Sequence, residues 1–220
     1  MFMKKLLSFL VLILIVCISA VNAQRYQDDI NTIQKWDKMY APPANPILFT
    51  GSSSIRKWDD LERTFATYVV MNRGVGGAVT NDIIYYADEI IFPYHPRQIV
   101  LYVGENDLTE KGVTADTIFN RFKNLYATIR SKLPNTPIVY ISIKPSPSRV
   151  QFLRIARQAN ILIRSYIAKQ SHIIFVDVFQ PMLDKNGQPR KELFVADMLH
   201  MNAQGYAIWR KAVSPHLLHR

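Results

Sequence analysis

Apolar residues fall into two kinds of pattern along this chain. One is the short unbroken run, as in Ile47-Leu48-Phe49, 67–71 (Thr-Tyr-Val-Val-Met), 98–103 (Gln-Ile-Val-Leu-Tyr-Val), 137–143 and 173–177. Gly, Pro, Asn or Asp bounds most of them, which fits inner strands of a sheet covered on both faces. The other pattern repeats every three or four positions. Ile30, Ile33, Trp36 and Met39 form one stripe over 26–41, and Ile118, Phe122, Leu125 and Ile129 another over 114–133. Both predict amphipathic helices with these residues turned inward, and further helices are expected over about 150–170 and from about Ala203. Trp58 and Leu61 suggest a short helix between the first two strands, and Thr80-Asn81-Asp82 opens another after the second.

Strands that alternate with helices imply βαβ units, and right-handed crossovers lay their strands in parallel. The expected fold is a flavodoxin-like three-layer α/β/α sandwich around a five-stranded parallel sheet. No internal repeat, low-complexity segment or linker interrupts it.

The N-terminus changes the domain count and the compartment. Met1-Phe-Met-Lys4-Lys5 precedes a mostly apolar run from Leu6 to Ile18, and Val21-x-Ala23 follows. A basic start, a run of about 13 apolar residues and a small-residue site form a secretory signal, so cleavage is expected before Gln24. The run is short for a membrane span, which needs roughly 18 residues. An uncleaved anchor is the alternative. The reading is therefore a signal peptide over 1–23, one domain over 24–220, a secreted or periplasmic protein and no stable membrane insertion after cleavage. Cys17, the one cysteine, falls in the signal, which leaves the mature chain without thiol chemistry. The full chain carries 27 Lys and Arg against 17 Asp and Glu. Losing Lys4 and Lys5 leaves 25 against 17, a net charge of +8. That charge could favour acidic glycans or envelope surfaces. The basic residues are scattered and no nucleic-acid motif accompanies them, so no nucleic-acid partner is expected.

In a parallel sheet every strand ends on one edge, and ligands bind beyond it. Past the first three strands stand Gly51-Ser52-Ser53-Ser54, 72–77 (Asn-Arg-Gly-Val-Gly-Gly) and Gly104-Glu105-Asn106-Asp107; after the fifth comes Asp197-Met-Leu-His200. A serine at the start of a helix has backbone N–H groups beside it and a partial positive charge beneath it. Glycine amides and a carboxamide can stabilise an oxyanion. Asp and His three apart allow the carboxylate to hold one imidazole nitrogen while the other faces a nucleophile. His95 and His172 precede strands and His216 and His219 lie in the C-terminal tail, which leaves His200 at the right edge. One well-placed His and no mature Cys are too few ligands for a metal site. The glycines at 74, 76 and 77 do not form a dinucleotide loop, because Val79 stands at the third glycine position and the loop follows the second strand. No cofactor is expected.

Gly51-Ser-Ser53-Ser, Gly77, Gly104-x-Asn106-Asp107 and Asp197-x-x-His200 resemble, in order, the four blocks of the SGNH hydrolases, the GDSL-type esterases. The resemblance spans nearly all of residues 24–220. It implies Ser53 as nucleophile, His200 as base, Asp197 as its orienting partner, and Gly77 and Asn106 as oxyanion donors beside the Ser53 amide. Ser52 stands where the family often has Asp, as in a subgroup related to platelet-activating-factor acetylhydrolases. By chemistry alone, Ser52 or Ser54 could attack instead of Ser53, and Gly76 could donate instead of Gly77. Gly-x-Ser-x-Gly is absent and the Asp lies within one turn of the His, which separates this plan from the α/β-hydrolases.

The expected protein is thus a serine esterase acting on short-chain esters, acetyl above all, of a small molecule or a carbohydrate. A lysophospholipase or lipase-type acylhydrolase, a non-catalytic glycan-binding domain and a flavodoxin-like cofactor binder are the competing readings. A lipase needs a wide apolar acyl channel. The long loop over about 178–199 carries Asp184, Lys185, Asn186, Arg190, Lys191 and Glu192, with Met182 and Leu183 too few for a lid. Leu193, Phe194 and Val195 are expected to anchor that loop to the core. Lys144-Pro-Ser-Pro147 and Arg149 should border the same edge, in no assigned role.

Overall fold

The structure, a computed structural model, describes residues 26–219. The predicted signal peptide lies outside the described residues. Helix α1 (Gln27–Met39) leads into β1 (Ile47–Gly51), the single turn α2 (Ser53–Arg56) and α3 (Leu61–Thr64). Strand β2 (Val70–Gly74), α4 (Thr80–Tyr85), α5 (Ala87–Ile90) and β3 (Gln98–Tyr102) follow. Then come α6 (Ala115–Lys132), β4 (Ile138–Ile141), α7 (Leu153–Ile167), β5 (Ile173–Val176) and α8 (Ala203–Val213). The strands pair in parallel in the order β2-β1-β3-β4-β5, as expected of the flavodoxin-like sandwich.

Alternation along the strands builds two cores. Leu48, Met71, Ile99, Leu101, Ile138 and Tyr140 pack with residues of α1, α4, α5, α6 and α7. Ile47, Phe49, Val100, Tyr102, Val139 and Ile141 face Trp58, Leu61, Phe65 and the α8 residues Trp209 and Val213. Strands covered on both sides need apolar residues at every position, which is why they read as unbroken runs. In α6 the predicted stripe Ile118, Phe122, Leu125 and Ile129 is buried throughout, and the helix starts where Thr114 Oγ1 accepts the Thr117 N–H at 3.1 Å.

Three expectations need correction. The α1 stripe turns inward only in part: Ile30 is fully buried, whereas Trp36 is 54% exposed and Met39 59%. The helix lies along the sheet margin, so its last turn overhangs the core; Trp36 stacks on exposed Tyr40 instead. Strand β2 begins later than Thr67 and runs on through Asn72, Arg73 and Gly74, because Gly51 pairs with Gly74 and carries the ladder to that point. Strand β5 is an edge strand, and Ile174 is 39% exposed.

Candidate active site

The switch point of this topology falls between β1 and β3, whose following crossovers leave on opposite sides of the sheet. Gly51 closes β1 with φ +129°, and a Cβ there would stand 1.8 Å from the Tyr102 carbonyl oxygen of β3. Only glycine fits, and the Ser52 amide then donates to that same oxygen at 2.9 Å. The chain turns at once into α2, which puts Ser53 at its first position. Ser52 and Ser54 are each 1% exposed and point away into packed protein. Asn72, in the middle of β2, donates to the Ile55 carbonyl at 2.7 Å and accepts the Gly74 N–H at 3.0 Å, which ties the serine turn to the sheet. Because α2 is one turn long, its first free amides, and not a long helix dipole, provide the positive potential.

The His-bearing segment is built independently. Asn202 caps α8 by accepting from the Gln204 and Gly205 amides, and its own amide group donates to the Glu192 and Phe194 carbonyls. Leu193 and Phe194 are buried, and Phe194 bridges to Met201, so residues 195–200 form a closed loop standing on the core. Val195 does not share in that anchoring: it is 43% exposed at the loop's outer side. Within the loop Met198 takes φ +55°, an uncommon left-handed conformation for a side chain of this size. This tight turn aims the Leu199 and His200 amides at one oxygen of Asp197, at 2.9 and 2.8 Å. The other carboxylate oxygen lies 2.6 Å from His200 Nδ1, and His200 Nε2 lies 3.0 Å from Ser53 Oγ. What burial Asp197 has pushes its carboxyl pKa up, but the imidazole and amide hydrogen bonds outweigh this and hold it well below the usual carboxylate range.

Of the expected oxyanion donors, Gly77 follows β2 with φ +79°, and its carbonyl accepts from Tyr26 Oη at 2.8 Å. Among the described residues neither the Ser53 nor the Gly77 amide has a protein acceptor. At Gly76 a Cβ would meet Arg56 Nη1 at 2.4 Å, the movable tip of a half-exposed side chain. Asn106 is oriented from both sides. Arg149 Nη2 donates to its Oδ1 at 2.9 Å, and its Nδ2 donates to the Ala78 carbonyl at 2.9 Å. A guanidinium has no acceptor, which fixes the amide orientation and leaves Nδ2 one further hydrogen. Asp107 has a different surrounding: fully buried, it accepts from the Thr80 N–H, Thr80 Oγ1 and Arg121 Nη1. It anchors the start of α4 to α6 and makes no hydrogen bond to His200.

The sequence reading assigned no part to Glu105, Lys144 or Asn72. Glu105 and Lys144 form an ion pair almost without exposure, directly under the His200 loop. Opposite charges just past two neighbouring strands were the available signal, but only the fold brings the two residues together. Among the described residues no group of three His, Cys, Asp or Glu side chains could hold a metal ion, and no helix is long and apolar enough to cross a membrane.

A serine hydroxyl on an imidazole, the imidazole on a carboxylate, and two free amides with a carboxamide nearby can perform acyl transfer. The sequence profile described as the GDSL-like lipase/acylhydrolase family matches residues 39–208. Among solved structures, the chain is similar to a Streptococcus pneumoniae protein named for platelet activating factor, at 23% identity and TM-score 0.77, over 93% of this chain and 99% of that one. A GDSL-like lipase from Bacteroides thetaiotaomicron superposes with TM-score 0.69 at 19% identity, over 84% and 95% of the two chains. Axe2, an acetylxylan esterase from Geobacillus stearothermophilus seen as a catalytic Ser-to-Ala mutant, gives 0.63 at 14% identity, over 78% and 94%. At these identities the likeness is one of fold. No curated protein matches the chain significantly.

Proposed function

The chain belongs to the GDSL-like lipase/acylhydrolase family and is a serine ester hydrolase, and on that premise we propose that it removes short acyl groups, acetyl above all, from carbohydrate esters outside the cytoplasm. The observation that carries the mechanism is the contact chain Ser53 Oγ to His200 Nε2 and His200 Nδ1 to Asp197. Ser53 attacks the ester carbonyl while His200 Nε2 takes its proton. Asp197, ionised, holds the Nδ1–H tautomer and stabilises the imidazolium. The negative oxygen of the tetrahedral intermediate is received by the Ser53 and Gly77 amides and by the free Nδ2 hydrogen of Asn106. His200 returns the proton to the leaving alcohol, and water then repeats the cycle on the acyl-enzyme. Neither metal nor cofactor enters this scheme.

Removing one oxyanion donor typically costs about 10²–10³ in kcat. Asn106→Ala is expected to lose that much with KM nearly unchanged, in steady-state kinetics on p-nitrophenyl acetate. Normal kcat would leave Asn106 as a packing residue only.

The acyl preference rests on the long loop after β5. Met182, Leu183, Leu193 and Phe194 are all buried in the core, so they are not free to cover an acyl chain. A long chain bound there would forgo the roughly 0.8 kcal/mol per buried CH₂ that a lipase channel supplies. The Axe2 likeness adds support for an acetylated glycan as substrate. Export rests on the N-terminal signal pattern. A p-nitrophenyl ester series tests the reading: kcat/KM is expected to peak at acetate and fall steeply by octanoate. A maximum at octanoate or beyond would favour the lipase-type reading, and acetylated xylan or similar polymers then serve to identify the alcohol half.

A further inference from the structure

Residues 144–149, which leave β4, touch both halves of this site. Lys144 is fully buried, and its ammonium donates to Glu105 Oε1 and Oε2 at 2.7 and 2.6 Å, to Ser146 Oγ at 2.7 Å and to the Leu199 carbonyl at 2.8 Å. Three hydrogens meet a carboxylate, a hydroxyl and a carbonyl, which matches a charged ammonium and would leave a neutral amine one donor short. Glu105 further accepts from Tyr102 Oη at 2.8 Å and from Ser146 Oγ. Burial pushes the Lys144 pKa down against the pull of Glu105; burial pushes Glu105 up, and Lys144 and Arg149 bring it below its usual value. The Leu199 carbonyl belongs to the same peptide group as the His200 N–H that binds Asp197. Nearby, the Ser148 N–H donates to the Met198 carbonyl at 3.0 Å. The two peptide groups whose N–H groups bind Asp197 are therefore both gripped from this segment. On the other side, Arg149 donates to the Glu105 carbonyl and to Asn106 Oδ1.

A buried ion pair is a poor choice if stability alone is wanted. Desolvation costs several kcal/mol per ion, and replacing such a pair by well-packed neutral groups is often neutral or stabilising. What this pair does is hold two separately built segments at fixed spacing. We infer that the Glu105–Lys144 pair is the joint that keeps the His200 turn and the Asn106 donor in register with Ser53. On this account both are positioning residues for ester hydrolysis. The inference rests on the catalytic roles proposed above.

Lys144→Met alone strands the Glu105 carboxylate and is expected to be poorly folded. The informative protein is the double variant Glu105→Gln/Lys144→Met, in which both groups are neutral and near in volume. In Glu105→Gln the carboxamide oxygen can take the Oε2 position and accept from Tyr102 Oη, while its NH₂ takes the Oε1 position and donates to Ser146 Oγ, which loss of the ammonium leaves free to accept. The double variant is expected to melt cooperatively with a native circular-dichroism spectrum. Its kcat on p-nitrophenyl acetate should fall about 10²-fold, the scale of a misplacement near 1 Å, with KM within about threefold. The His200 Nδ1–H, 2.6 Å from Asp197, is expected to give a far-downfield proton resonance in wild type, which should shift or broaden away in the double variant. A folded double variant with kcat within about threefold of wild type, or with that resonance unchanged, overturns the inference. Ser53→Ala run alongside separates the two readings: activity surviving in it would remove the proposed mechanism itself. An inactive Ser53→Ala beside a fully active double variant would remove only the positioning role.

Discussion

Replacing Ser53 by alanine is expected to lower kcat by about 10⁴-fold or more while the protein folds and melts as before. The size follows from the loss of the nucleophile itself: binding and oxyanion donors remain, but no acyl-enzyme can form. The fold should tolerate the change, since Ser53 Oγ has His200 Nε2 as its partner and no core packing depends on it. Ser52→Ala and Ser54→Ala should instead retain most of the turnover. Both hydroxyls are buried, and the interactions that position the turn run through the backbone at these residues. The Ser52 N–H binds Tyr102, and the Ser54 carbonyl accepts from Tyr206 Oη at 2.9 Å. A fluorophosphonate that labels wild type and both flanking variants, but not Ser53→Ala, would agree with the assignment. Wild-type turnover in Ser53→Ala would end it.

Asp197→Asn should cost about 10³–10⁴ in kcat, far more than Asp107→Asn. Asp197 needs both of its oxygens as acceptors: one takes the Leu199 and His200 amides, the other the imidazole N–H. Asparagine offers one acceptor. If its oxygen stays with the two amides, its NH₂ faces Nδ1 and forces the tautomer that carries the proton on Nε2, where it cannot take one from serine. If the amide flips, two backbone bonds are broken and the turn around Met198 loosens. Either outcome disables the base. Asp107→Asn meets a different environment, with Thr80 and Arg121 as partners, and removing its charge leaves the guanidinium with Glu110 as its remaining carboxylate partner. Its effect should appear as a lower melting temperature, with kcat within about threefold of wild type. Kinetics and thermal melts on the two variants decide, and the reverse ranking would move the orienting role to Asp107.

Much of this molecule was legible because strand and helix periods differ. Unbroken runs gave the covered strands and the 3.6-residue stripe gave α6 with its buried residues. The spacing of Asp197 and His200 placed a carboxylate within reach of an imidazole with no tertiary help. Where the pattern misled, the cause was location in the sheet. The inward face of α1 depends on how far that helix overhangs the β2 edge, and the end of β2 depends on where β1 stops pairing. Neither is encoded in the local alternation of residues.

Local covalent and steric rules thus determined the elements, their parallel direction and the set of groups delivered to one edge, since these follow from side-chain period and crossover handedness. Which serine is the one at the imidazole was decided only by tertiary structure. Three consecutive hydroxyls are chemically alike, and Gly51, pressed against the Tyr102 carbonyl, sets the turn that exposes the middle one. The same holds for Glu105 and Lys144, which stand 39 residues apart and meet only because β3 and β4 are neighbours. A charge's partner across a sheet is fixed by strand order and register, and those depend on the whole packed core.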